Sequence, residues 1–212
     1  MESAPNLNPR KVPTQARALA RVVSILDATA TLLERQGYDA LTTNAIALEA
    51  GVNVASLYQY FPNKQAVMAA LAARMAEAWL SVFDKFAEAF ADAEDWRSCF
   101  QSHLEQLFAV DARLVGSGPM RHAMNSDPIL RAIDIQNDAD VADNLAEGFA
   151  KRGRLPLAKA RLIAGTITGS LRYLYDSEGP EISPKNTPRL EELAKMHDLY
   201  LATYFDPQEN VQ

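Results

Sequence analysis

Between Lys64 and Ala91 an alanine-rich stretch carries Val67, Leu71, Met75, Trp79, Phe83, Phe86 and Phe90 at intervals of three or four residues. That period belongs to a long helix with one apolar face. A stripe of this length has to be covered by other helices. No segment elsewhere shows convincing strand alternation, so the sequence predicts an all-α fold of about nine helices.

The punctuation along the chain divides it further. Residues 1–15 hold Pro5, Pro9 and Pro13 without apolar periodicity and read as a flexible basic arm. Helical spacing begins near Arg17 and ends at Gln36, with Gly37 as a C-terminal cap. Thr42 or Thr43 can cap a short helix that Gly51 ends, and Asn53 can cap another that Pro62-Asn63 breaks. After the long stretch, helical spacing continues from Trp96 to Leu114, and Gly-Ser-Gly-Pro at 116–119 interrupts it. Further helices are expected at about 120–125, 129–151, from Pro156 to 176, and at 189–205.

Composition narrows the function classes. The net charge of −6 argues on its face against a nucleic-acid binder. Its distribution is uneven: residues 1–64 hold 6 Lys and Arg against 5 Asp and Glu, whereas residues 65–212 hold 15 against 22. A mildly basic N-terminal part is joined to an acidic body. No apolar run approaches the ~20 residues of a membrane span, and no basic-then-apolar signal opens the chain. The lone Cys99 excludes an internal disulfide framework and fits a reducing compartment. We expect a cytoplasmic protein with no membrane partner.

The densest information lies at 42–64. Two short helices joined by a tight glycine turn form a helix-turn-helix if they cross closely, and Ala47 supplies a small side chain for the crossing. Leu57 and Phe61, four apart, are expected in the core with Val52 before them. Val54, Ala55, Ser56, Tyr58, Gln59 and Tyr60 are left nearer the surface. Tyrosine hydroxyls can donate to phosphate oxygens, the N-terminus of the following helix offers N–H groups, and Lys64 adds charge there.

The run "LTTNAIALEAGVNVASLYQYFPNKQAV" resembles the DNA-binding signature of the TetR family of bacterial transcriptional regulators. The matching elements are Thr42, Thr43, Ile46, Ala47, Ala50, Gly51, Val52, Leu57, Tyr58, Tyr60, Phe61 and Lys64, and the match extends over about residues 13–70. The resemblance implies a flexible arm at 1–15 and a three-helix DNA-binding domain at 16–63. It also implies a helical effector-binding and dimerisation domain at 64–212. Position by position, Thr43, Tyr58, Tyr60 and Lys64 match phosphate-contacting positions, and Arg17 at the start of the first helix is grouped with them. Asn44, Val54, Ala55 and Ser56 match positions that approach base edges. Val54 and Ala55 depart from the common pattern: small apolar side chains can touch thymine methyl groups but cannot make a bidentate hydrogen bond. Direct readout is therefore expected to be modest, with DNA shape and an Arg10/Lys11 arm in the minor groove adding to it.

A helix-turn-helix monomer covers one half-site, so a homodimer is expected on palindromic operator DNA. The small residues Gly165, Thr168 and Gly169 on the penultimate helix, and Leu193, His197, Tyr200 and Tyr204 on the last, are the expected interface. The resemblance makes this a four-helix interface. The middle helices would enclose a small-molecule effector, with Trp79, Phe83, Trp96, Phe100 and His103 as candidate lining. Leu107, Met120, His122 and Met124 complete that set. Such an interior suits a hydrophobic or aromatic ligand, oriented by His103 or His122.

Enzymatic chemistry finds little support. The histidines at 103, 122 and 197 and Cys99 show no paired ligand spacing, so no metal is expected. His103 lies four residues from Cys99 with no third group to orient the pair. No phosphate-cradling glycine loop or Gly-x-Ser-x-Gly occurs, and no cofactor is expected. The aspartates at 134, 138, 140 and 143 read as a solvated helix face. The sequence reading is a ligand-responsive regulator, a repressor released by its effector. The alternative is a small-molecule sequestering protein with a degenerate helix-turn-helix.

Overall fold

The structure is a computed structural model in which residues 6–7, 15–178 and 188–206 are described. Among these residues there are nine helices and no strand: α1 (Ala16–Gln36), α2 (Thr43–Glu49), α3 (Val54–Tyr60), α4 (Lys64–Asp92), α5 (Trp96–Asp111), α6 (Ser117–Ser126), α7 (Pro128–Gly153), α8 (Leu157–Glu178) and α9 (Pro188–Phe205). The all-α expectation is borne out. Most of the arm expected at 1–15, with Arg10 and Lys11, lies outside the described residues.

The caps follow the sequence. The Thr42 hydroxyl accepts from the Ala45 N–H and the Asn53 side chain accepts from the Ser56 N–H. Each satisfies a donor that a helix start leaves open. The interruption expected at Gly-Ser-Gly-Pro, 116–119, falls between α5 and α6, at residues 112–116. Ser117, Gly118 and Pro119 form the first turn of α6, where a missing proline N–H costs no hydrogen bond, and Gly116 precedes them at φ 83°.

The helices form two compact units. The first holds the described residues of 1–77 together with 114–134. Its core joins Ile25, Leu33, Leu41, Ile46, Leu57, Phe61, Met68, Leu71, Met124 and Leu130, all essentially buried. Glu34 of α1 accepts from the Gly116 N–H at 2.9 Å, and Arg74 of α4 pairs with Asp27 at 2.7 Å.

The second unit holds 78–113 and the described residues of 135–212. Phe86, Phe90, Phe149, Leu145, Ile163 and Leu201 build its core, with Phe90 and Phe149 ring centroids 5.1 Å apart. Arg97 ties α5 to the end of α9 through Asp198 at 2.7 Å and Asp206 at 2.6 Å. Asp138 and Asp143 of the acidic stretch pair with Arg172 and Arg161 of α8. Helix α4 meets α7 at Gly148, where an added Cβ would sit 2.5 Å from the Ala87 carbonyl oxygen. Only glycine fits there.

By length and composition α4 is apolar enough to cross a membrane, with a mean hydropathy of 1.4 over its most apolar window. Sequence reading found no such run. Val67, Met68, Leu71, Phe83, Phe86 and Phe90 are instead spent on protein cores.

Candidate nucleic-acid interface

Helices α2 and α3 cross through a turn at Ala50–Asn53. Gly51 supplies the left-handed backbone there, with φ 66°, and the Val52 N–H returns to the Ala47 carbonyl at 3.0 Å. Ser24 of α1 donates to the Ala50 carbonyl at 3.0 Å and holds the same turn from behind. Ile46, Ala47, Leu57 and Phe61 are buried, as their spacing predicts.

This packing fixes what α3 turns outward. Ala55, Tyr58 and Gln59 are exposed, and Val54 and Ser56 are half-buried. On α2, Asn44 is exposed and Thr43 half-exposed. The Thr43 and Tyr58 hydroxyls share a hydrogen bond of 3.0 Å, so one residue from each helix meets on a single outward surface. Arg17 is exposed in the first turn of α1.

Two expected contacts fall elsewhere. Tyr60, expected at the surface, is 5% exposed and belongs to the core. It stands three residues from Leu57 and next to Phe61, so all three share the buried stripe. Lys64 is half-buried and turned inward: its ammonium donates to the Tyr38 carbonyl at 3.1 Å and sits 4.0 Å from the Tyr38 ring centre. The start of α4 is also partly satisfied, since Asn63 accepts from the Ala66 N–H at 2.7 Å.

Tyr38 and Asp127 form a site the sequence reading missed. The Tyr38 hydroxyl donates to Asp127, whose other oxygen caps α7 by accepting from the Ile129 N–H at 2.9 Å. Partial burial pushes the Asp127 carboxyl up. The Tyr38 hydroxyl, the backbone N–H groups of Ile129 and Leu130, and Lys64 outweigh it and bring the carboxyl below its ordinary value. Burial first, then the Asp127 carboxylate, pushes the Tyr38 phenol well above its ordinary value. The Asp-Pro pair at 127–128 was the signal: Asp before Pro marks a helix start as much as a stop.

The effector candidates divide between the units. Phe83, Trp96, Phe100, His103 and Leu107 are buried together in the second unit, with Trp79 packed against them. Met120 and Met124 are buried in the core of the first unit, and His122 is exposed. Met120, His122 and Met124 thus belong to a different unit from the other six. A groove of about 740 Å³ runs between α5 and α9, floored by Trp96, Phe100, Leu104 and Phe108 and rimmed by Arg97, Glu105, Lys195 and Asp198. Among the described residues no cluster of His, Cys, Asp or Glu could hold a metal ion.

Of the interface candidates, one is turned inward within its own unit. His197 is 1% exposed and its Nε2 is hydrogen-bonded to the Ser170 hydroxyl at 2.7 Å. Burial lowers its pKa to about 4. Leu193, Tyr200 and Tyr204 are half-buried against the same core, because the stripe of Leu190, His197 and Leu201 faces inward. Gly165 and Gly169 are exposed and Thr168 half-buried; a Cβ on either glycine would meet nothing. On these two helices the large apolar side chains left in the open are Leu157, Leu162 and Tyr173 of α8 and Met196 and Leu199 of α9.

Residues 25–71 match the family model of the bacterial regulatory proteins of the tetR family. Among curated proteins no match is found. Among solved structures, a TetR-family transcriptional regulator from Streptomyces coelicolor is 28% identical, with a TM-score of 0.64 over 90% of this chain and 100% of that one. The multidrug binding protein EbrR, complexed with imidazole, is 20% identical, with a TM-score of 0.62 over 91% and 98%. SmeT, the repressor of the Stenotrophomonas maltophilia multidrug efflux pump SmeDEF, is 18% identical, with a TM-score of 0.56 over 86% and 87%. At the two lower identities the likeness is one of fold. The motif at 42–64, the family match around it and a shared fold over nine-tenths of the chain agree: this protein carries the DNA-binding domain of the tetR-family bacterial regulatory proteins, in the fold of a TetR-family transcriptional regulator.

Proposed function

We propose that this chain is a ligand-responsive repressor that binds palindromic operator DNA as a homodimer and is released by a small hydrophobic or aromatic effector. The observation that carries the DNA-binding part is the joint surface of α2 and α3, where Thr43 and Tyr58 meet beside exposed Asn44 and Ala55. Thr43, Tyr58 and Arg17 would contact phosphates, and Asn44, Ala55 and Ser56, with the rim of Val54, would face base edges. Residues 16–63 would read DNA and residues 64–212 would bind effector and dimerise. No catalytic role is assigned, and the protein would act in the cytoplasm.

Dimerisation rests on the open apolar side chains of α8 and α9. Leu162, Tyr173 and Leu199 are each about 70% exposed, a costly arrangement unless a partner covers them. A two-fold interface would cover both copies at once. The bare surface at Gly165 and Gly169 would let the partner helix approach closely.

The inward turn of Lys64 and the burial of Tyr60 favour a second reading, a ligand-sequestering protein whose helix-turn-helix no longer grips DNA. Selection of random duplex DNA on the purified protein at near-physiological salt separates the two. The repressor reading requires an enriched inverted repeat, and affinity for it that falls with salt by a logarithmic slope of about −0.9 per phosphate contact. A folded dimer that enriches no sequence leaves the sequestering reading.

A further inference from the structure

Helix α3 reads Val-Ala-Ser-Leu-Tyr-Gln-Tyr, and it holds no Asn, Asp, Glu, Lys, Arg or His. Of the side-chain types that pair with a base edge through two hydrogen bonds, Gln59 is the only one it offers. The Asn53 carboxamide just before the helix is engaged in the cap, where it accepts from the Ser56 N–H at 2.6 Å.

Packing turns Gln59 to the middle of the outward face. Leu57 is fully buried and marks the inward direction. Ala55 and Gln59 stand two residues before and two after it, and two residues turn an α-helix by about 200°. Both therefore lie opposite the core, and both are exposed. Tyr58 leans aside toward α2, as its 3.0 Å bond to Thr43 shows. Gln59 sits on the far side of Ala55 from that contact.

We propose that Gln59 is the principal specificity-determining residue of the DNA-binding surface, and that it reads an adenine in the major groove. The inference rests on the DNA-binding part of the repressor reading and deepens it. The carboxamide oxygen accepts from the adenine N6 amino group while the carboxamide nitrogen donates to N7. No other base presents that donor and acceptor side by side in the major groove.

Short neighbours bring the contact within reach. Val54, Ala55 and Ser56 form the first turn of α3, and their side chains stop at β or γ atoms. A first turn this lean lets the helix sit deep in a groove about 12 Å wide. Gln59 follows Ala55 by four residues, about 6 Å along the helix, and carries its polar atoms out to the ε position. Val54 and Ala55 are left to touch thymine methyl groups beside it. Base reading thereby moves from the start of α3 to its last turn.

The test selects random duplex DNA at near-physiological salt on the full-length wild-type protein and on Gln59→Ala. Wild type should enrich an inverted repeat with a fixed adenine in each half-site. Replacing one such adenine by 7-deazaadenine, which lacks the N7 acceptor, or by purine, which lacks the N6 amino group, should weaken binding ~10-fold. These analogues probe the contact with no substitution in the protein. Gln59→Ala should lose preference at that base pair alone and bind the adenine and analogue duplexes within ~2-fold of each other. Gln59→Arg should shift the preference there from adenine to guanine, whose O6 and N7 both accept. A repeat enriched equally by wild type and Gln59→Ala, with every fixed position kept, overturns the proposal and leaves the DNA-binding reading standing. So does a uniform loss across all sequences, which would place Gln59 on a phosphate. A folded wild-type dimer that enriches no sequence defeats the DNA-binding reading itself, and the proposal with it.

Discussion

The Tyr38 hydroxyl lies 2.6 Å from the Asp127 carboxylate, and it links the turn after α1 to the cap of α7 across 89 residues of sequence. The same tyrosine receives Lys64 on its ring and carbonyl, so the starts of α4 and α7 share one support. Tyr38→Phe removes the hydroxyl and keeps the ring. We expect a loss of about 1–2 kcal/mol in urea denaturation at neutral pH, the size of a hydrogen bond to a charged acceptor that is partly solvated. The pH dependence fixes the cause. A carboxyl whose folded pKa is depressed contributes stability above its unfolded value, about 3.9, and loses it as pH falls through the folded value. The gap between wild type and variant should therefore be flat from about pH 5 to 8 and close below about pH 4. A gap that persists in acid would mean the hydroxyl acts by packing.

Tyr58 and Tyr60 should part company under the same substitution. Tyr60→Ala empties a buried position and should cost about 3 kcal/mol of stability. Tyr58→Ala should cost less than about 1 kcal/mol, since its hydroxyl bonds Thr43 at the surface. On DNA the order reverses: Tyr58→Phe should weaken every duplex about equally, by roughly 3- to 10-fold, while Asn44 and Ser56 replacements change sequence preference. A preference change from Tyr58→Phe, measured by competition on selected duplexes, would reverse the division between gripping and reading.

Charged replacement of Leu162 or Leu199 should dissociate a dimer built on α8 and α9. Each is about 70% exposed in the single chain, and burying a leucine is worth about 2 kcal/mol. In a two-fold interface every substitution counts twice, so Leu199→Glu should raise the dissociation constant by about 10³-fold. Sedimentation equilibrium reads this directly. A dimer of unchanged strength moves the interface elsewhere.

Two buried histidines should make the protein sensitive to mild acid. Burial lowers His197 to about 4 and His103 to about 3. Below about pH 6.5 the unfolded chain takes up protons that the folded chain refuses, so stability falls as pH drops from 6.5 toward 4. Each group contributes a slope of up to about 1.4 kcal/mol per pH unit. His197→Phe should remove about half of that slope in denaturation series at pH 4.5–6.5. An unchanged slope would show that His197 takes its proton while folded.

How much of this could be read from the sequence depends on the range of the interaction. Caps, breaks and stripes are local, and Thr42, Asn53, Gly51 and the helix from Lys64 appear where spacing placed them. Tyr60 was misplaced because a stripe on a two-turn helix is wide: position 60 flanks Leu57 and Phe61, and only packing in the core of the first unit decides its side. His197 failed for the same reason, as α9 has two apolar faces and the pattern does not say which one its own unit covers. Tyr38, Lys64 and Asp127 are joined purely by tertiary contact, and no periodicity connects residues 26 and 89 positions apart.

The contact at Gly148 has a mechanical consequence. Where helices meet through interlocked side chains, sliding or turning must first unlatch them. At Gly148 the α7 backbone lies against the Ala87 carbonyl of α4 with no side chain between. Two backbones held this close cannot be pushed nearer, and Phe90 against Phe149, Asn144 on Asp84 and Lys151 on Asp92 lock the seam on either side. Along the α4–α7 seam the spacing is therefore set by backbone, and any side chain at position 148 would have to force the two helices apart.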